Sequence, residues 1–344
     1  MNRVSARRSA ARQRNRERFA AKYVVFGILA VLALCPAFTA AQDSGAAPAV
    51  PKQLRIIAAS LGGTGPDFIA RLLAPKLGEA LRQNAVVENR PSTNGLAAAQ
   101  YTARATPDGS VIMMGNAGTH AINAALYKNP GYDPTQDFAP ITEIASIPLA
   151  LVIHPSVPAK SVRELIALAR RSPGKLNVAV AGAAGELMGN ALKLQAKINM
   201  TNIPYKGGAQ ATIAVLSGEA DMVFTSYVVI APHVDAGKLR VLGVSSAQRM
   251  PQLPEVPTIA ENGLPGYEFE QWYALFAPAK TPTAVVQAIY RESSRIVNMP
   301  EINERLVATG HRIIAGTPQQ LADKVRREIE KTRQIMLESG MQQQ

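Results

Sequence analysis

Short apolar runs rich in β-branched residues alternate with amphipathic stretches along most of the chain after residue 53. This alternation predicts parallel strands connected by helices, which form α/β sheets flanked by helices. We predict strands at Leu54–Ala59, Ala85–Glu88, Val111–Gly115, Leu149–His154, Leu176–Val180, Thr201–Pro204, Asp221–Thr225, Leu239–Ser245 and Phe269–Ala277. We predict helices at Phe68–Arg82, Gly95–Thr106, Val162–Arg171, Glu186–Ile198, Gln210–Gly218, Val228–Ala236, Pro282–Val297, Glu301–Thr309 and Pro318–Ser339. Such sheets bind ligands at the carboxyl ends of their strands, so the loops there are candidate sites.

The glycine-rich turn after the first predicted strand is the most informative local feature. Gly62, Gly63 and Gly65 separate this strand from a helix that opens with Pro66 and Asp67. Such a turn can aim several unpaired backbone N–H groups at one anion, because a helix N-terminus carries partial positive charge. Glycines also permit a tight turn without any ligand. We expect Asp67 to stabilise the helix start rather than to act as a catalytic acid.

Four further loops follow predicted strands, at residues 115–120, 180–186, 203–208 and 224–227. The first of these belongs to the same part of the chain as the glycine-rich turn, and the other three belong to a later part. Loops of this kind in two separate domains would face each other across a cleft. The pattern therefore predicts a binding protein that closes around its ligand.

Enzyme functions receive little support from the sequence. Glu88 ends the second predicted strand, where a dinucleotide-binding fold places the acid that holds the ribose. The third glycine of G-x-G-x-x-G, counted from Gly63, is however Phe68. No serine lies in a G-x-S-x-G motif, and no catalytic constellation emerges. Trp272 and Tyr273 could stack on a ligand, but we favour core packing for both. We predict a protein that is not an enzyme and needs no cofactor.

The first 41 residues have the pattern of a secretory signal peptide. Residues 1–22 hold eight basic side chains and one acidic side chain, an apolar stretch runs from Tyr23 to Phe38, and small residues follow to Ala41. The alternative is an uncleaved membrane anchor. Its 16 apolar residues are fewer than the roughly 20 that a spanning helix needs, and Pro36 interrupts them. We therefore predict export to the periplasm.

Removal of this leader changes the charge argument. The formal net charge is +12, but residues 1–41 account for +7 of it, which leaves +5 for the remainder. This mild excess suits an anionic ligand and removes the main support for nucleic-acid binding. Cys35, the single cysteine, lies in the leader, so we expect no disulfide. The four histidines lack metal-ligand spacing, and we predict no metal site. The length of the remainder predicts two domains.

Many motifs together resemble one family. Bug-type periplasmic solute receptors, the substrate-binding components of tripartite tricarboxylate transporters, are similar to this chain in order from Leu54 to Met341. The stretches that carry the resemblance are GGTGPDFIARLLAPKL, VVENRP, TPDGSVIMMGNAGTHAINAALY, YDPTQDFAPIT, HPSVPAKSVRELIALAR, PGKLN, IPYKGG, APHVDAGKLRVLGVSS and LPEVPTIAENGLPGYEFEQWYALFAPAKTP.

The resemblance implies a two-domain clamshell of the type II periplasmic-binding class. One domain would comprise residues 52–149 plus 246–344 and the other residues 150–245, with hinge strands near Ala150 and Val244. The solute would be a small carboxylate, an amino acid or a related compound, and the partner a two-component membrane permease. A receptor that feeds a sensor kinase is an alternative for the same solute class. We expect a monomer.

The family holds its ligand largely on backbone N–H groups of facing loops. By position, this role falls to Gly63, Thr64, Gly65, Asp67, Asn116, Ala117, Ala181, Gly182, Ala183, Ala184, Gly185, Glu186, Tyr205, Lys206, Gly207, Thr225 and Ser226.

The sequence also departs from the family pattern at this site. Pro66 replaces the usual serine or threonine before Asp67, AGAAGEL replaces a hydroxyl-rich loop, and Thr225-Ser226 replaces Asp-Asn after Phe224. A dianion beside Glu186 would be repelled unless Lys206 or a water compensates. We therefore expect a monocarboxylate, amino-acid-like or amide-bearing ligand rather than a tricarboxylate.

Overall fold

The computed structural model describes residues 52–205 and 207–344. The predicted signal peptide at 1–41 and Lys206 lie outside the described residues, so both interpretations stay predictions. Within the described ranges, no helix combines the length and the apolar character needed to cross a bilayer.

Strands and helices in the described ranges alternate along most of the chain. The strands are β1 Gln53–Ala58, β2 Asn84–Asn89, β3 Val111–Asn116, β4 Phe138–Pro148, β5 Ala150–Ile153, β6 Asn177–Ala181, β7 Thr201–Tyr205, β8 Met222–Thr225, β9 Arg240–Val244, β10 Glu270–Pro278 and β11 Arg312–Ile313. The α-helices are α1 Gly65–Leu81, α2 Leu96–Ala103, α3 Asn123–Leu126, α4 Val162–Arg171, α5 Gly182–Ala196, α6 Gly208–Leu216, α7 Tyr227–Asp235, α8 Thr283–Val297, α9 Pro300–Ala308 and α10 Pro318–Ser339. A 3₁₀ turn at Thr93–Gly95 and a π-helical turn at Gly118–Ile122 complete this set.

The first sheet contains, among the described strands, six in the order β11-β4-β10-β3-β1-β2. β1 pairs in parallel with β2 and β3, whereas β10 is antiparallel to both β3 and β4. Alternate residues of β1 pack on opposite faces: Ile56 lies against α1 and α8, and Ile57 lies in the cluster that contains α2 and α10. Both faces of the sheet are therefore covered by helices.

The second sheet contains five described strands in the order β7-β6-β8-β5-β9. β6 is parallel to β7 and β8, and β5 is antiparallel to β8 and β9. Helices α4 and α5 cover one face, where Leu165 and Leu192 join the core, and α6 covers the other with Val215. The C-terminal part of α10 also packs here through Ile335, so this helix contacts both halves of the described chain.

The chain passes between the two sheets at two adjacent points. Leu149 is the single residue between β4 and β5, and Ser245 follows β9 directly. Leu149 N–H donates to Ser245 Oγ at 2.9 Å, and Ser245 N–H donates to the Leu149 carbonyl at 2.8 Å. The two passages are thus hydrogen-bonded to each other.

The structure adds elements that the sequence pattern did not predict. β4 was missed because Pro140 and Pro148 resemble turn signals. Pro140 pairs with Phe276 next to a register shift that skips Ile141, and β11 pairs with β4 only at Ala145 and Ser146, so β4 has no described partner strand on its other side at Pro140. The helical segment that includes the π turn at Gly118–Ile122 was predicted only as a loop. Both sheets are also mixed rather than uniformly parallel.

Candidate functional site

The first loop is held in shape by a buried carboxylate. Asp67 is 2% exposed, and its Oδ2 accepts a hydrogen bond from Gly63 N–H at 2.8 Å. Its Oδ1 accepts from Arg71 Nε and from Asn89 Nδ2, each at 2.8 Å. Burial raises the pKa of Asp67, but these hydrogen bonds lower it, and the net shift is downward. The charge of Asp67 is therefore used to organise the loop.

The start of α1 lies directly against a tyrosine of β10. A Cβ atom added at Gly65 would be 2.3 Å from Tyr273 Oη, so only glycine fits here without movement. Thr64 precedes the helix, and its side chain does not cap the first turn within the described chain. The first-turn N–H groups of a helix have no intrahelical partner, and Pro66 removes one of them.

The second loop follows β3, next to β10. Asn116 lies opposite Tyr273 in the antiparallel pairing. Asn116 N–H donates to Thr119 Oγ1 at 2.9 Å, and Thr119 N–H donates to Asn116 Oδ1 at 3.1 Å. Ala117, 8% exposed, begins the helical segment behind this turn. The reciprocal bonds fix the Asn116 side chain at the carboxyl end of β3.

Three helices of the second sheet begin opposite these loops. α5 begins at Gly182, α6 at Gly208 and α7 at Tyr227, each at or just after the carboxyl end of a strand. In the described residues, none of the three has a side-chain cap on its first turn. Their first N–H groups, with partial positive charge, are available to a ligand.

Two joined cavities lie between the loops of the two sheets. The larger has a volume of about 670 Å³ and the smaller about 590 Å³. Both are lined by Thr64, Asn116, Ala181, Ala184 and Gln271, so they form two lobes of one cleft.

The lobes differ in character. The smaller lobe has several small or polar residues on its walls, among them Ser60, Ser92 and Asn94. The larger lobe is lined mainly by apolar and aromatic residues: Pro66, Phe68, Ile147, Leu149, Ala209, Phe224, Val228, Val229 and Tyr273. In the described part of the chain, no aspartate, glutamate, lysine or arginine lines either lobe. Among the described residues, the contacts available to an anion here are N–H groups and neutral side chains.

Most of the predicted site residues line this cleft. The larger lobe is lined by Gly63, Thr64, Gly65, Asn116, Ala181, Ala184, Gly185, Thr225 and Ser226, and the smaller lobe adds Gly182 and Ala183.

Other predicted residues lie elsewhere. Asp67 and Ala117 are buried behind their loops, and neither Tyr205 nor Gly207 is among the residues that line the two lobes. Tyr205 Oη instead donates to Glu219 at 3.1 Å. Glu186 does not line either lobe, and its charge acts on Lys193 of the same helix. The repulsion argued from Glu186 therefore lacks structural support.

Many lining residues were not predicted as ligand contacts, among them three from the last third of the chain. Gln271 and Tyr273 come from β10, and His311 comes from the segment before β11. Alternation along β10 carries the signal that could have found the first two: Trp272 is fully buried in the core, so its neighbours on either side point to the opposite face. Core packing is right for Trp272, and Tyr273 packs against the core while it also lines the cleft.

The carboxylate of Glu88, the candidate ribose ligand, is bound by arginine side chains. Its carboxylate forms ion pairs with Arg55 and with Arg90, the latter at 2.7 Å. These pairs lower the pKa of Glu88 despite its partial burial, with the Arg55 hydrogen bond as the largest cause. In the described ranges, no group of three histidine, cysteine, aspartate or glutamate residues is arranged to hold a metal ion.

Comparisons with known proteins identify the family and the fold. The family model described as "Tripartite tricarboxylate transporter family receptor" matches residues 69–341. The chain belongs to this family. The receptor also resembles solved structures of its relatives. Rpa4515 of R. palustris with adipate is 32% identical with a TM-score of 0.73, over 84% of this chain and 97% of that chain.

Two further structures support the Bug-type relationship and the fold. Periplasmic binding protein BugD is 30% identical with a TM-score of 0.72, over 86% of this receptor and 100% of that chain. MatC from Rhodopseudomonas palustris with bound malate is 28% identical with a TM-score of 0.70, over 82% and 98%. These findings confirm a Bug-type receptor with the α/β clamshell fold.

Proposed function

We propose that this receptor is exported to the periplasm, captures a small carboxylate in the cleft and delivers it to a two-component membrane permease. The observation that supports this most is the meeting of four helix N-termini, those of α1, α5, α6 and α7, at one cleft. Among described residues none of the four is capped by a side chain. The adipate and malate bound to Rpa4515 and MatC support carboxylates as the ligand class.

Backbone donors can supply the required affinity. A hydrogen bond to a charged acceptor contributes about 1.5–3 kcal/mol net. Three or four such bonds, together with apolar contact in the larger lobe, could provide the roughly −8 kcal/mol that a dissociation constant of about 1 μM requires after the costs of association.

The hinge for closure of the cleft would lie where the chain crosses between the two sheets, at Leu149 and Ser245. We place the domain boundaries there, with residues 52–149 plus 246–344 in one domain and residues 150–245 in the other. A hinge changes a few backbone angles and leaves the packed domains intact. A carboxylate that contacts helix N-termini of both domains would favour the closed state, because the open state offers only one set of contacts.

The ligand preference needs revision from the sequence argument. The expectation of an amino-acid-like or amide-bearing solute depended on Glu186 beside the ligand. Because Glu186 does not line the cleft, we propose simply a small carboxylate. We expect Glu186→Gln to leave the dissociation constant for adipate or malate within about twofold, which isothermal titration calorimetry can measure.

A thermal-shift screen of the purified protein tests the proposal. The panel contains mono-, di- and tricarboxylates, amino acids, aromatic acids and nicotinamide dinucleotides. A carboxylate at a hundredfold excess over its dissociation constant should add about 2.7 kcal/mol to the free energy of unfolding. Stabilisation by a carboxylate, with the compound recovered unchanged, supports a receptor. Stabilisation by a dinucleotide alone would contradict it.

Further measurements address location and partner. Cell fractionation should recover the protein, shortened at its N-terminus, from the periplasm. A membrane pull-down with bound ligand should recover a permease, whereas recovery of a sensor kinase would favour the signalling alternative. Sedimentation should give a monomer.

A further inference from the structure

The two lobes of the cleft join at a small set of shared residues. Those that line both lobes are Thr64, Asn116, Ala181, Ala184 and Gln271, and we call this place the junction. Thr64 directly precedes the first turn of α1, and Ala181 directly precedes the first turn of α5. Helix N-termini from both sheets therefore lie at the junction, whereas those of α6 and α7 line the larger lobe only.

The first turn of α1 offers fewer backbone donors than an ordinary helix start. Pro66 has no N–H, and the N–H of Gly63, shortly before the helix, donates to Asp67 at 2.8 Å. The first turns of α1 and α5 carry partial positive charge, so both would attract a carboxylate at the junction. A further donor there would replace the hydrogen bond that Pro66 cannot make.

The alternation of β10 directs the Gln271 side chain toward the cleft. Trp272 is fully buried in the core on one face of the sheet, so Gln271 and Tyr273 project from the other face. Ile147 lies opposite Gln271 in the pairing with β4, and both Ile147 and Tyr273 line the larger lobe. Gln271 itself is half-buried. Its side chain therefore has the direction and the space to reach a ligand.

The carboxamide of Gln271 has no hydrogen-bond partner in the described chain. The other polar side chains of the junction are already hydrogen-bonded. Thr64 donates its hydroxyl to the Leu61 carbonyl at 2.9 Å, and Asn116 Oδ1 accepts from Thr119 N–H at 3.1 Å. A glutamine can donate two hydrogens from Nε2, and a carboxylate can only accept. Gln271 thus offers a neutral donor beside two helix N-termini.

We propose that Gln271 Nε2 donates a hydrogen bond to the ligand carboxylate, which lies at the junction between the first turns of α1 and α5. This inference rests on the proposed function of the cleft. It makes Gln271 a binding residue that supplies, from β10, a donor that Pro66 cannot supply from α1.

Two substitutions of Gln271 test the inference by isothermal titration calorimetry with adipate, malate and the tightest carboxylate of the thermal-shift screen. Gln271→Met keeps the length of the side chain and removes the donor, so the dissociation constant should rise about tenfold. Gln271→Glu keeps the shape and places a like charge against the carboxylate, so the dissociation constant should rise at least about hundredfold. A purely structural role would give no larger loss for glutamate than for methionine.

Gln195 provides a matched control. It is exposed in the last turn of α5, about 20 Å along the helix axis from the first turn. Gln195→Met and Gln195→Glu should leave the dissociation constants within about twofold of the wild type. Urea unfolding of all four variants separates a loss of binding from a loss of structure.

NMR provides a second measurement, on the wild-type protein. The Nε2–H₂ signals of Gln271, assigned by their absence from the spectrum of Gln271→Met, should shift when the carboxylate is added, and those of Gln195 should not. Unshifted Gln271 signals, or a Gln271→Glu dissociation constant within about threefold of the wild type, would overturn the inference. The proposed function would stand in that case, because the carboxylate still binds. If no carboxylate of the screen binds the wild type, the proposed function itself fails.

Discussion

Replacement of Asp67 by asparagine distinguishes two roles for this carboxylate. The three hydrogen bonds at 2.8 Å assign it to the loop. In either orientation, the amide of Asp67→Asn places an NH₂ group against at least one donor, from Gly63, Arg71 or Asn89. One charge-assisted bond is then lost and the remaining bonds are weakened, for a total of about 2–3 kcal/mol in the free energy of unfolding.

The direction in which Asp67→Asn changes the affinity for the carboxylate distinguishes the two roles of Asp67. If Asp67 anchors Gly63, the variant must order the loop when ligand binds. If this ordering costs about 1.4 kcal/mol of binding free energy, the variant binds a carboxylate about tenfold more weakly. If Asp67 faced the ligand, removal of its charge would relieve repulsion and strengthen binding.

Urea unfolding and isothermal titration calorimetry with the tightest carboxylate of the screen measure both quantities. Asp108→Asn is a matched control, because Asp108 Oδ1 accepts from Ser110 N–H at 2.8 Å in an exposed turn before β3, away from the cleft. We expect it to leave the affinity unchanged. Unchanged or tighter binding by Asp67→Asn would refute the reasoning.

Three further predictions concern packing and buried charge. An added Cβ at Gly65 would clash with Tyr273, so Gly65→Ala should lower the free energy of unfolding by about 1–3 kcal/mol. Relief of the clash moves the first turn of α1 or Tyr273, both at the cleft, so carboxylate binding should weaken about tenfold. Gly62→Ala, with open space at its Cβ, should change neither quantity, and equal affinities of the two variants would contradict this. Burial lowers the pKa of His120 to about 3, so the unfolded state binds more protons below pH 6.5. Between pH 7 and pH 5, the free energy of unfolding measured with urea should fall by about 2 kcal/mol more for the wild type than for His120→Phe. Parallel pH profiles of the two proteins would exclude a contribution from His120 protonation. Lys324 Nζ lies 2.6 Å from the buried Glu143 carboxylate, whose pKa is raised chiefly by burial. Lys324→Met should lower the free energy of unfolding by about 3–5 kcal/mol at pH 8 and by less at pH 5, where Glu143 can protonate. A loss of stability that does not depend on pH would argue against an uncompensated charge on Glu143.

Local patterns predicted most elements of the fold. Helices Val162–Arg171 and Pro318–Ser339 have the predicted bounds. The second has a capping box, in which the Thr317 and Gln320 side chains satisfy backbone N–H groups at its start. β4 escaped prediction because its prolines are accommodated by pairing with β10, far away in sequence. Such long-range pairing leaves no local signal.

Local patterns likewise predicted only part of the candidate site. Backbone donors at strand ends could be predicted from glycine-rich turns, and Gly63, Gly65 and Gly182 do line the cleft. The direction of a side chain depends on partners that local sequence does not show. Thus Asp67 turns inward to Gly63 and Arg71. His311 reaches the cleft from a segment more than 200 residues after the first loop.

A crystal structure of the protein with the tightest-binding carboxylate tests the central claim most directly. The account predicts a ligand between the first turn of α1 and the first turns of α5, α6 and α7, with its carboxylate bound by backbone N–H groups. A ligand found instead in the charged cavity of about 470 Å³ beside Lys324 and Arg312, with the cleft empty, would contradict it.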